Sequence, residues 1–374
     1  MTEDHLQFID LLSRRVPRIP VTYALIVANV LVFSAMLLFG AGLWHSSNGV
    51  QLEWGANFGP ATKDGQWWRL GSAMFLHFGL LHLAMNMLAL WDGGRLVERI
   101  YGHGRFTLIY LASGLSGNLL SLIVQGDHAV SGGASGAIFG VYGAYLWFLW
   151  HERSALKPFG FKWLFWGAAG FSVIAISFGF LIPGIDNAAH LGGLAAGILA
   201  GAALARPLDP GQAPDRRVQR LAAGTLALIS LALAAGIPAP SYRWSEEKRA
   251  QGEIKAFLGE DVRIVGQWNM ILGNAQREGV TFDQLAGRIE AEVASPYAES
   301  FDQLSKLRIS SATPSSLTLE TLRQYAEMRR DASRALVEGL RANDPERIHE
   351  ALEMASQATE MVEGQVALSA PKSP

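Results

Sequence analysis

The sequence predicts an all-α membrane protein in two parts: a bundle of seven transmembrane helices and a soluble helical C-terminal domain. Residues 1–240 contain 15 basic and 12 acidic side chains, whereas the shorter stretch 241–374 contains 16 basic and 21 acidic ones. The first part also holds nearly all of the long apolar runs, and about 20 apolar residues are enough to cross a bilayer. Helix-capping patterns recur in the second part, which indicates soluble helices.

Composition excludes several functions. The net charge of −2 argues against a nucleic-acid partner. The chain has no cysteine, so disulfides, thiolate nucleophiles and cysteine-ligated metals are excluded. His77 and His82 are five residues apart with no glutamate between them, and no His-Glu-x-x-His pattern occurs. We therefore expect no metal and no cofactor.

The N-terminal segment, residues 1–20, is predicted to be a short amphipathic or loosely ordered cytoplasmic stretch. Arg14, Arg15 and Arg18 precede an apolar run over residues 21–43. A signal-peptide core has only about 7–15 apolar residues, so this run indicates an uncleaved membrane anchor.

Seven spans are predicted from the apolar runs, and the fourth is unusually short. At about 1.5 Å per residue it covers only about 24 Å, so it must begin below the membrane surface, at Ser135. Irregular backbone is tolerated at that depth only where it lines protein or water. A polar cavity should therefore open at Ser135. The predicted spans are 21–43, 73–92, 105–125, 135–150, 163–182, 188–205 and 219–237.

The charges of the connecting loops predict the orientation. Segments 1–20, 93–105, 151–163 and 206–220 carry 13 Lys and Arg residues, and the alternate loops carry two. The positive-inside rule then places the N-terminus in the cytoplasm and the Ser135 cavity on the outer side. If 219–237 crosses the membrane, residues 241–374 are extracytoplasmic; if it is a buried or interfacial helix, they are cytoplasmic. The basic N-terminus and the lack of an organelle signal favour a bacterial plasma membrane.

Candidate catalytic groups occur inside the predicted spans, where polar residues are energetically expensive. Ser135 follows Gly132-Gly133-Ala134 and opens a helix, so unpaired amide groups should surround it. A lone Gly-x-Ser-Gly is weak support for catalysis. Other polar residues of the spans strengthen the case for catalysis. They are His77, His82 and Asn86 in the second span and Asp186 and His190 at the start of the sixth.

Small residues predict which of these groups meet. Gly136, Gly140 and Ala144 follow Ser135 at four-residue spacing, and Gly193, Gly197 and Gly201 follow His190 in the same way. Two such faces allow helix backbones to approach closely in a membrane. We therefore expect the Ser135 hydroxyl within hydrogen-bond reach of the His190 imidazole, which would act as its general base. His82 and Asn86 would donate to an oxyanion, together with the Ser135 amide.

These motifs resemble those of the rhomboid intramembrane serine proteases. The resemblance covers about residues 20–206, and its order and spacing are highly specific. The matching segments are Trp68-Arg69, His77-Phe78-Gly79-Leu80-Leu81-His82-Leu83-Ala84-Met85-Asn86, Gly133-Ala134-Ser135-Gly136 and Ala189-His190-Leu191-Gly192-Gly193.

The resemblance implies a six-helix rhomboid bundle over residues 21–206. The apolar run 219–237 places the seventh span within a linker, 207–240. The resemblance also implies a catalytic dyad of Ser135 and His190, with His82 and Asn86 as oxyanion donors. Structural roles are implied for Trp68, Arg69, His77 and Glu98.

Two further residues, at positions 139 and 186, bear on the implied dyad. Many family members have tyrosine four residues after the serine; Phe139 stands there in this chain and can stack on His190 but cannot donate a hydroxyl bond. Asp186 lies four residues before His190 and could be a third triad member, but a helix N-cap is the better interpretation, because caps favour Asp.

The implied activity is cleavage of transmembrane or membrane-proximal segments of other membrane proteins. The second and fifth spans would admit the substrate, and the 183–187 loop would act as a lid. The alternative is a catalytically silent rhomboid-like protein that binds membrane proteins or serves in quality control. Such relatives commonly lack the serine or the histidine, and this chain keeps both.

The C-terminal part, residues 241–374, is predicted to be a bundle of four or five helices. Thr281 to Gln284 forms a capping box, and Asp344-Pro345 reads as an N-cap followed by proline at the first helical position. Pro296 and residues 310–316 are predicted breaks. Substrate recruitment, partner docking and self-association are the roles left open.

Overall fold

The computed structural model describes residues 3–209 and 211–369, and these residues are almost entirely helical. The chain divides into two compact units, residues 1–240 and 241–374. In chain order, the helices and strands of the first unit are α1 (Glu3–Arg15), α2 (Pro20–Leu38), α3 (Asn48–Glu53), β1 (Asn57–Phe58), α4 (Gly59–Lys63), α5 (Arg69–Ser72), a 3₁₀ turn (Ala73–Phe75), α6 (Leu80–Tyr101), α7 (His103–Val124), β2 (Val130–Ser131), α8 (Ser135–His151), α9 (Pro158–Leu181), α10 (Asn187–Ala203) and α11 (Arg216–Ala235).

Four of the described helices, α2, α7, α9 and α11, are long and apolar enough to cross a membrane. The segment Arg69–Phe75 together with α6 would make a fifth span, bent by 92°. Helices α8 and α10 have 17 residues each. The first unit is therefore a multi-pass helical membrane domain.

The bend corrects the prediction of one helix over 73–92. Helix α6 begins only at Leu80 and continues to Tyr101, so most of the predicted loop 93–105 is helical. The amide of Leu80 donates to the carbonyl of Leu43, and Ser46 donates to Phe78, both at 2.8 Å. These bonds hold the chain away from helical geometry before α6. A Cβ on Gly79 would overlap with the carbonyl of Trp44, so only glycine fits here.

The N-terminal segment forms helix α1 rather than a loosely ordered stretch. Its Phe8 and Leu12 side chains are buried in the core of the unit, with the Phe8 ring 6.5 Å from that of Phe148. The first loop is also structured. It contains α3, α4 and α5, and β1 pairs antiparallel with β2 through Asn57 and Ser131.

Helices α8 and α10 pack almost backbone to backbone, as the small-residue spacing predicted. A Cβ on Gly193 would overlap with the carbonyl of Gly136, and one on Gly197 would overlap with the carbonyl of Gly140. Further along, a Cβ on Gly201 would lie 2.8 Å from Cα of Ala144. These contacts confirm the predicted close approach.

Residues 241–369 of the second unit form five α-helices around a core of their own. They are α12 (Trp244–Glu278), α13 (Phe282–Ile289), α14 (Ser295–Lys306), α15 (Ser316–Ala342) and α16 (Pro345–Ser369). The capping box of Thr281 and Gln284 is confirmed, with both reciprocal hydrogen bonds present. The side chain of Asp344 accepts from the first amides of α16, which confirms that cap too.

Pro296 was wrongly predicted to break a helix. A π-helical turn, Glu290–Ala294, joins α13 to α14, and Pro296 lies in the first turn of α14. Proline lacks an N–H and normally interrupts the ladder of helical hydrogen bonds. The π turn changes the bonding register just before it, so the chain remains helical through this position.

Candidate active site

The Ser135 hydroxyl and the His190 imidazole meet at the ends of two tightly packed helices. Oγ of Ser135 lies 2.9 Å from Nε2 of His190, although 55 residues separate them in the chain. Ser135 is the first residue of α8 and His190 lies in the first turn of α10. His190 is only 8% exposed, whereas Ser135 is half-buried. With the imidazole proton on Nδ1, the serine hydroxyl donates to Nε2.

The loop before Ser135 brings His82 to the same place. Gly133 has φ +147, a conformation that favours glycine, and its amide donates to the carbonyl of Ala73 at 2.8 Å. The position that a Cβ on Gly133 would take lies 3.0 Å from Nε2 of His82 and 3.6 Å from Oγ of Ser135. Glycine therefore lets the edge of the His82 ring approach the serine.

Asn86 lies one turn beyond His82 on α6 and is buried. Its side-chain amide nitrogen donates to the carbonyl of His82 at 3.0 Å. One amide hydrogen is thus engaged within the helix, and the second is available to a group in the site.

The backbone supplies further donors at the start of α8. The first α-helical bond of this segment runs from the amide of Ile138 to the carbonyl of Ala134, at 2.9 Å. The amides of Ser135, Gly136 and Ala137 precede it and have no carbonyl four residues back within the helix. The positive end of the helix dipole therefore lies beside the serine oxygen.

An aromatic ring covers the imidazole. The ring of Phe139 stacks on His190 with centroids 4.4 Å apart and planes 26° apart. Nδ1 of His190 is buried and has no hydrogen-bond partner among the described residues. The stacking expected for an aromatic at position 139 is confirmed, and the imidazole is held by its ring face and by Ser135.

Asp186 caps α10 and joins three segments of the bundle. Oδ1 accepts from the amide of Ala189 at 3.0 Å, while Oδ2 accepts from the hydroxyl of Ser131 at 2.6 Å and from that of Ser121. No hydrogen bond links Asp186 to the ring of His190 in the described part of the chain. Sequence reasoning found the cap but missed the two serines, because they lie 55 and 65 residues away.

The Trp68-Arg69 pair lies in the first loop, away from the serine. The Arg69 guanidinium donates to the carbonyls of Leu52 and Ala56, at 2.8 and 3.0 Å, and lies over the Trp68 ring. Glycine at position 55 leaves room for that ring, because a Cβ there would overlap with it. The pair thus ties together the carbonyls of the loop.

Glu98 and His77 are both fully buried. The Glu98 carboxylate accepts from the amides of Val21 and Thr22, at 3.0 and 2.8 Å, and so caps α2; it also bonds the hydroxyl of Thr22 and Nδ1 of His103. The His77 carbonyl accepts from the side chain of Gln51 at 2.9 Å. Its ring lies edge-on to His82, with centroids 5.0 Å apart.

Among residues 3–209 and 211–369, no group of three or more His, Asp and Glu side chains is arranged to hold a metal ion. The chemistry available at the site is that of a hydroxyl, an imidazole and hydrogen-bond donors.

Comparison with known proteins connects this geometry to one family. A rhomboid domain matches residues 64–207. Rhomboid protease GluP of Bacillus subtilis is 38% identical over 187 residues, which are 50% of this chain and 35% of that protein. Rhomboid-type serine protease 2 of Emericella nidulans is 30% identical over 212 residues, 55% of this chain and 39% of that protein. This chain therefore spans well under half of the length of either relative.

A shorter relative is matched over most of its length. The putative rhomboid protease YdcA of Bacillus subtilis is 32% identical over 180 residues, which are 48% of this chain and 85% of that protein. The rhomboid domain match over residues 64–207 includes α8 and α10, the helices that bring Ser135 and His190 together. This chain belongs to the rhomboid family of intramembrane serine proteases.

Proposed function

We propose that this protein is an intramembrane serine endopeptidase that cleaves transmembrane or membrane-proximal segments of other membrane proteins. The single observation that carries the proposal is the 2.9 Å contact between Oγ of Ser135 and Nε2 of His190. That distance lets an imidazole remove the hydroxyl proton as the oxygen attacks a carbonyl carbon. Family membership supports the same reaction.

Acylation begins when Oγ of Ser135 attacks the scissile carbonyl and its proton moves to Nε2 of His190. The carbonyl oxygen becomes an oxyanion, which the amide of Ser135 and the side chains of His82 and Asn86 stabilise by donating hydrogen bonds. Collapse breaks the C–N bond, and His190 gives the proton to the departing amine. An acyl-enzyme on Ser135 remains.

Deacylation repeats these steps with water as the nucleophile. His190 takes a proton from the water as its oxygen attacks the ester, and the same donors stabilise the second oxyanion. Collapse breaks the ester bond, the proton returns to Oγ of Ser135, and the carboxylic acid leaves. Because His190 is held by stacking on Phe139, no third residue is required.

Substrate entry is proposed to occur between α6 and α9. Helix α9 is among the least buried of the candidate spans and carries exposed apolar side chains, and the 183–187 loop joins it to α10. A loosely packed helix beside the serine can move aside for an unwound substrate segment. The exposed large apolar side chains of α9 are Phe159, Trp163, Trp166, Val173, Ile174, Phe178, Phe180 and Leu181.

The proposed membrane arrangement is a six-helix rhomboid bundle of α2, α6, α7, α8, α9 and α10, with α11 as a seventh span. The N-terminus would be cytoplasmic, and the serine and residues 241–374 extracytoplasmic, in a bacterial plasma membrane. A reporter fused after residue 374 tests this: an extracytoplasmic signal is expected, and a cytoplasmic one would remove α11 as a span.

The activity is tested with Ser135→Ala and His190→Ala in liposomes that contain a model transmembrane substrate. We expect each variant to lose at least about 10⁴-fold in kcat. Ser230→Ala and His151→Ala, at positions outside the site, serve as matched controls and should cleave normally. A fluorophosphonate probe should label Ser135 only when His190 is intact. Cleavage by both site variants at the wild-type rate would contradict the Ser135–His190 dyad, and no cleavage by the wild type would favour the catalytically silent binding protein instead.

A further inference from the structure

A cavity of about 420 Å³ lies between the start of α2 and the last turns of α6. Its lining includes the three arginines Arg18, Arg95 and Arg99 and the two aromatic residues Tyr23 and Trp91. It is far from the serine, because α6 rises about 1.5 Å per residue and its arginines, Arg95 and Arg99, follow His82 by three turns or more. The catalytic proposal uses none of these five residues.

The cavity is built on rigid elements. Trp91, Arg95 and Arg99 follow one another at four-residue spacing and so share one face of α6. The opposite wall is the start of α2, which the buried Glu98 holds against α6 by accepting from the amides of Val21 and Thr22. The walls therefore keep their distance without any ligand.

The charges that line the cavity are not balanced. Arg95 forms one ion pair, with Asp92 at 3.2 Å. Arg18 and Arg99 form no ion pair with a carboxylate among the described residues, and Glu98 is already engaged by its four donors. Three guanidinium groups against one carboxylate leave two positive charges.

Two of the arginines also have side-chain N–H donors that make no hydrogen bond. Nε of Arg95 and Nε of Arg99 are buried, and neither has a hydrogen-bond partner in the described parts of the chain. A buried donor without an acceptor is unfavourable. Because no protein group holds these Nε atoms, a small side-chain rotation can present Nε and Nη together to two oxygens of one anion. Phosphate is the anion that this fork geometry suits.

Apolar side chains continue from the cavity along both helices. On α2, Val27 and Leu31 follow Tyr23 at four-residue spacing, and all three are exposed. On α6, the exposed Leu88 precedes Trp91 by one turn. The Tyr23 and Trp91 rings are 5.4 Å apart, so the two rows begin together. Because α2 starts and α6 ends at the cavity, both rows run from it toward the middle of the bundle.

A phosphate site joined to an apolar track has the chemistry of a phospholipid. Tyrosine and tryptophan are enriched where a protein meets the headgroup region, and basic pockets between membrane helices bind anionic headgroups. We propose that this cavity binds the phosphate of an anionic phospholipid through Arg18, Arg95 and Arg99, with an acyl chain along the Tyr23 and Trp91 rows. A zwitterionic lipid is disfavoured, because its ammonium group would meet the same arginines.

The test is native mass spectrometry of the full chain, released from micelles containing dioleoylphosphatidylglycerol or dioleoylphosphatidylcholine at increasing mole fraction. The wild type should retain phosphatidylglycerol at a much lower mole fraction than phosphatidylcholine. Each arginine near an anionic lipid contributes a factor of about five, so Arg95→Gln with Arg99→Gln should weaken retention about 30-fold. No preference in the wild type would overturn the proposal.

A matched control removes the same charge elsewhere. Arg217 and Arg220 are exposed on the first turns of α11 and do not line the cavity. Arg217→Gln with Arg220→Gln should leave retention within about twofold of the wild type. An equal loss of retention in both double variants would mean that general surface charge attracts the lipid. That result would overturn the proposed site. Arg18→Gln, at an exposed position before α2, should weaken retention about fivefold even if the α6 variants fail to fold.

A second arm separates lipid from soluble phosphate. Glycerol phosphate and inorganic phosphate are added to the lipid-loaded wild type at millimolar concentration. Retention of phosphatidylglycerol is expected, because neither competitor can occupy the apolar rows. Displacement by either one would identify a site for a small soluble phosphate and overturn the lipid proposal.

Discussion

The Cα of Gly193 faces the carbonyl oxygen of Gly136 so closely that a side chain of one carbon would overlap with it. This contact joins the residue that follows Ser135 to a residue one turn beyond His190. Gly193→Ala must push α10 away from α8 or shift its register. A displacement of about 1 Å at reacting groups can lower the rate about 100-fold.

We therefore expect Gly193→Ala to lower kcat by about 100-fold and to destabilise the unit by about 1–3 kcal/mol. Turnover of a model transmembrane substrate and thermal unfolding in detergent measure the two effects. Gly224→Ala is the control, because its Cβ on α11 would meet no atom within 4 Å. It should be neutral or slightly stabilising. Wild-type turnover by Gly193→Ala would show that the close approach is not needed for catalysis.

Asp186 is expected to act on the rate through position rather than through proton transfer. In Asp186→Asn the N-cap survives, since asparagine caps as well as aspartate. The Oδ2 atom that accepts from Ser121 and Ser131 is replaced by an amide nitrogen that donates, so both hydroxyls must turn to accept from it, which loosens the loop that precedes Ser135. We expect kcat to fall only about tenfold, in line with two weakened hydrogen bonds.

The same substitution distinguishes a triad from a dyad. Loss of a triad aspartate would lower kcat about 10⁴-fold. Ser131→Ala removes one of the same bonds without touching the carboxylate, and we expect its effect to be similar to that of Asp186→Asn. A large loss with Asp186→Asn and none with Ser131→Ala would contradict the positioning role. Rates of fluorophosphonate labelling provide a second readout.

Sequence patterns predicted the helix pair and the meeting of Ser135 with His190, because both depend on spacing within one helix. Glycine at every fourth position marks a face, and two such faces at equal offsets from two polar residues bring those residues together. The caps at Thr281 and Asp344 were predictable for the same reason, since donor and acceptor are three residues apart or fewer.

Features that depend on distant partners were not predictable. The break before α6 arises because Leu80 bonds to Leu43, a residue with no distinguishing pattern. The serines that bond Asp186 are separated from it in the chain by α8 and α9. The π turn before Pro296 has no signature in composition, so the sequence predicts a helix end at this proline. In each case the deciding contact lies outside the window in which periodicity operates.

Glu98 is expected to be a main determinant of the stability of the first unit. Glu98→Gln replaces one acceptor oxygen by an amide that donates, and this amide would face the N–H group of Val21 or that of Thr22. A buried donor left without a partner is unfavourable by about 1–3 kcal/mol, so a loss of about 3 kcal/mol is expected. Scanning fluorimetry in detergent should show a Tm lower by about 5–10 °C.

Asp92→Asn is the matched control for Glu98→Gln. It also neutralises a carboxylate on α6, but Asp92 is largely exposed and its pair with Arg95 contributes little. Its Tm should stay within about 2 °C of the wild type. Equal shifts in both variants would mean that the charge of α6 matters, rather than the cap of α2.

Residues 241–374 are expected to fold when expressed alone. Their buried core uses only residues of this part, from Phe257 to Ala358. Arg329, 5% exposed, lies between the rings of Trp268 and Tyr297, 5.1 and 5.2 Å from their centroids. We expect the fragment to show helical circular dichroism and a single cooperative urea transition. A non-cooperative transition would mean that it depends on the rest of the chain.

Tyr297 should make the stability of that fragment sensitive to alkaline pH. Its hydroxyl donates to Asp261 at 2.8 Å and accepts from Nε of Arg329 at 3.2 Å. Burial raises the pKa of the Tyr297 phenol above its usual range, and Asp261 reinforces the rise while Arg329 opposes it. The unfolded phenol titrates near pH 10. The folded fragment therefore holds this proton above pH 10, where the unfolded chain has released it.

Stability from this group is fully present below about pH 10 and is lost as the pH rises above it, at up to about 1.4 kcal/mol per pH unit. Tyr297→Phe should be less stable than the wild type at pH 7, because two hydrogen bonds are lost. The difference should shrink between pH 10 and 11, since phenylalanine has no proton to release. Urea unfolding at each pH measures it, with Tyr242→Phe, outside the core, as the control. A difference that stays constant to pH 11 would mean that the phenol ionises equally in both states.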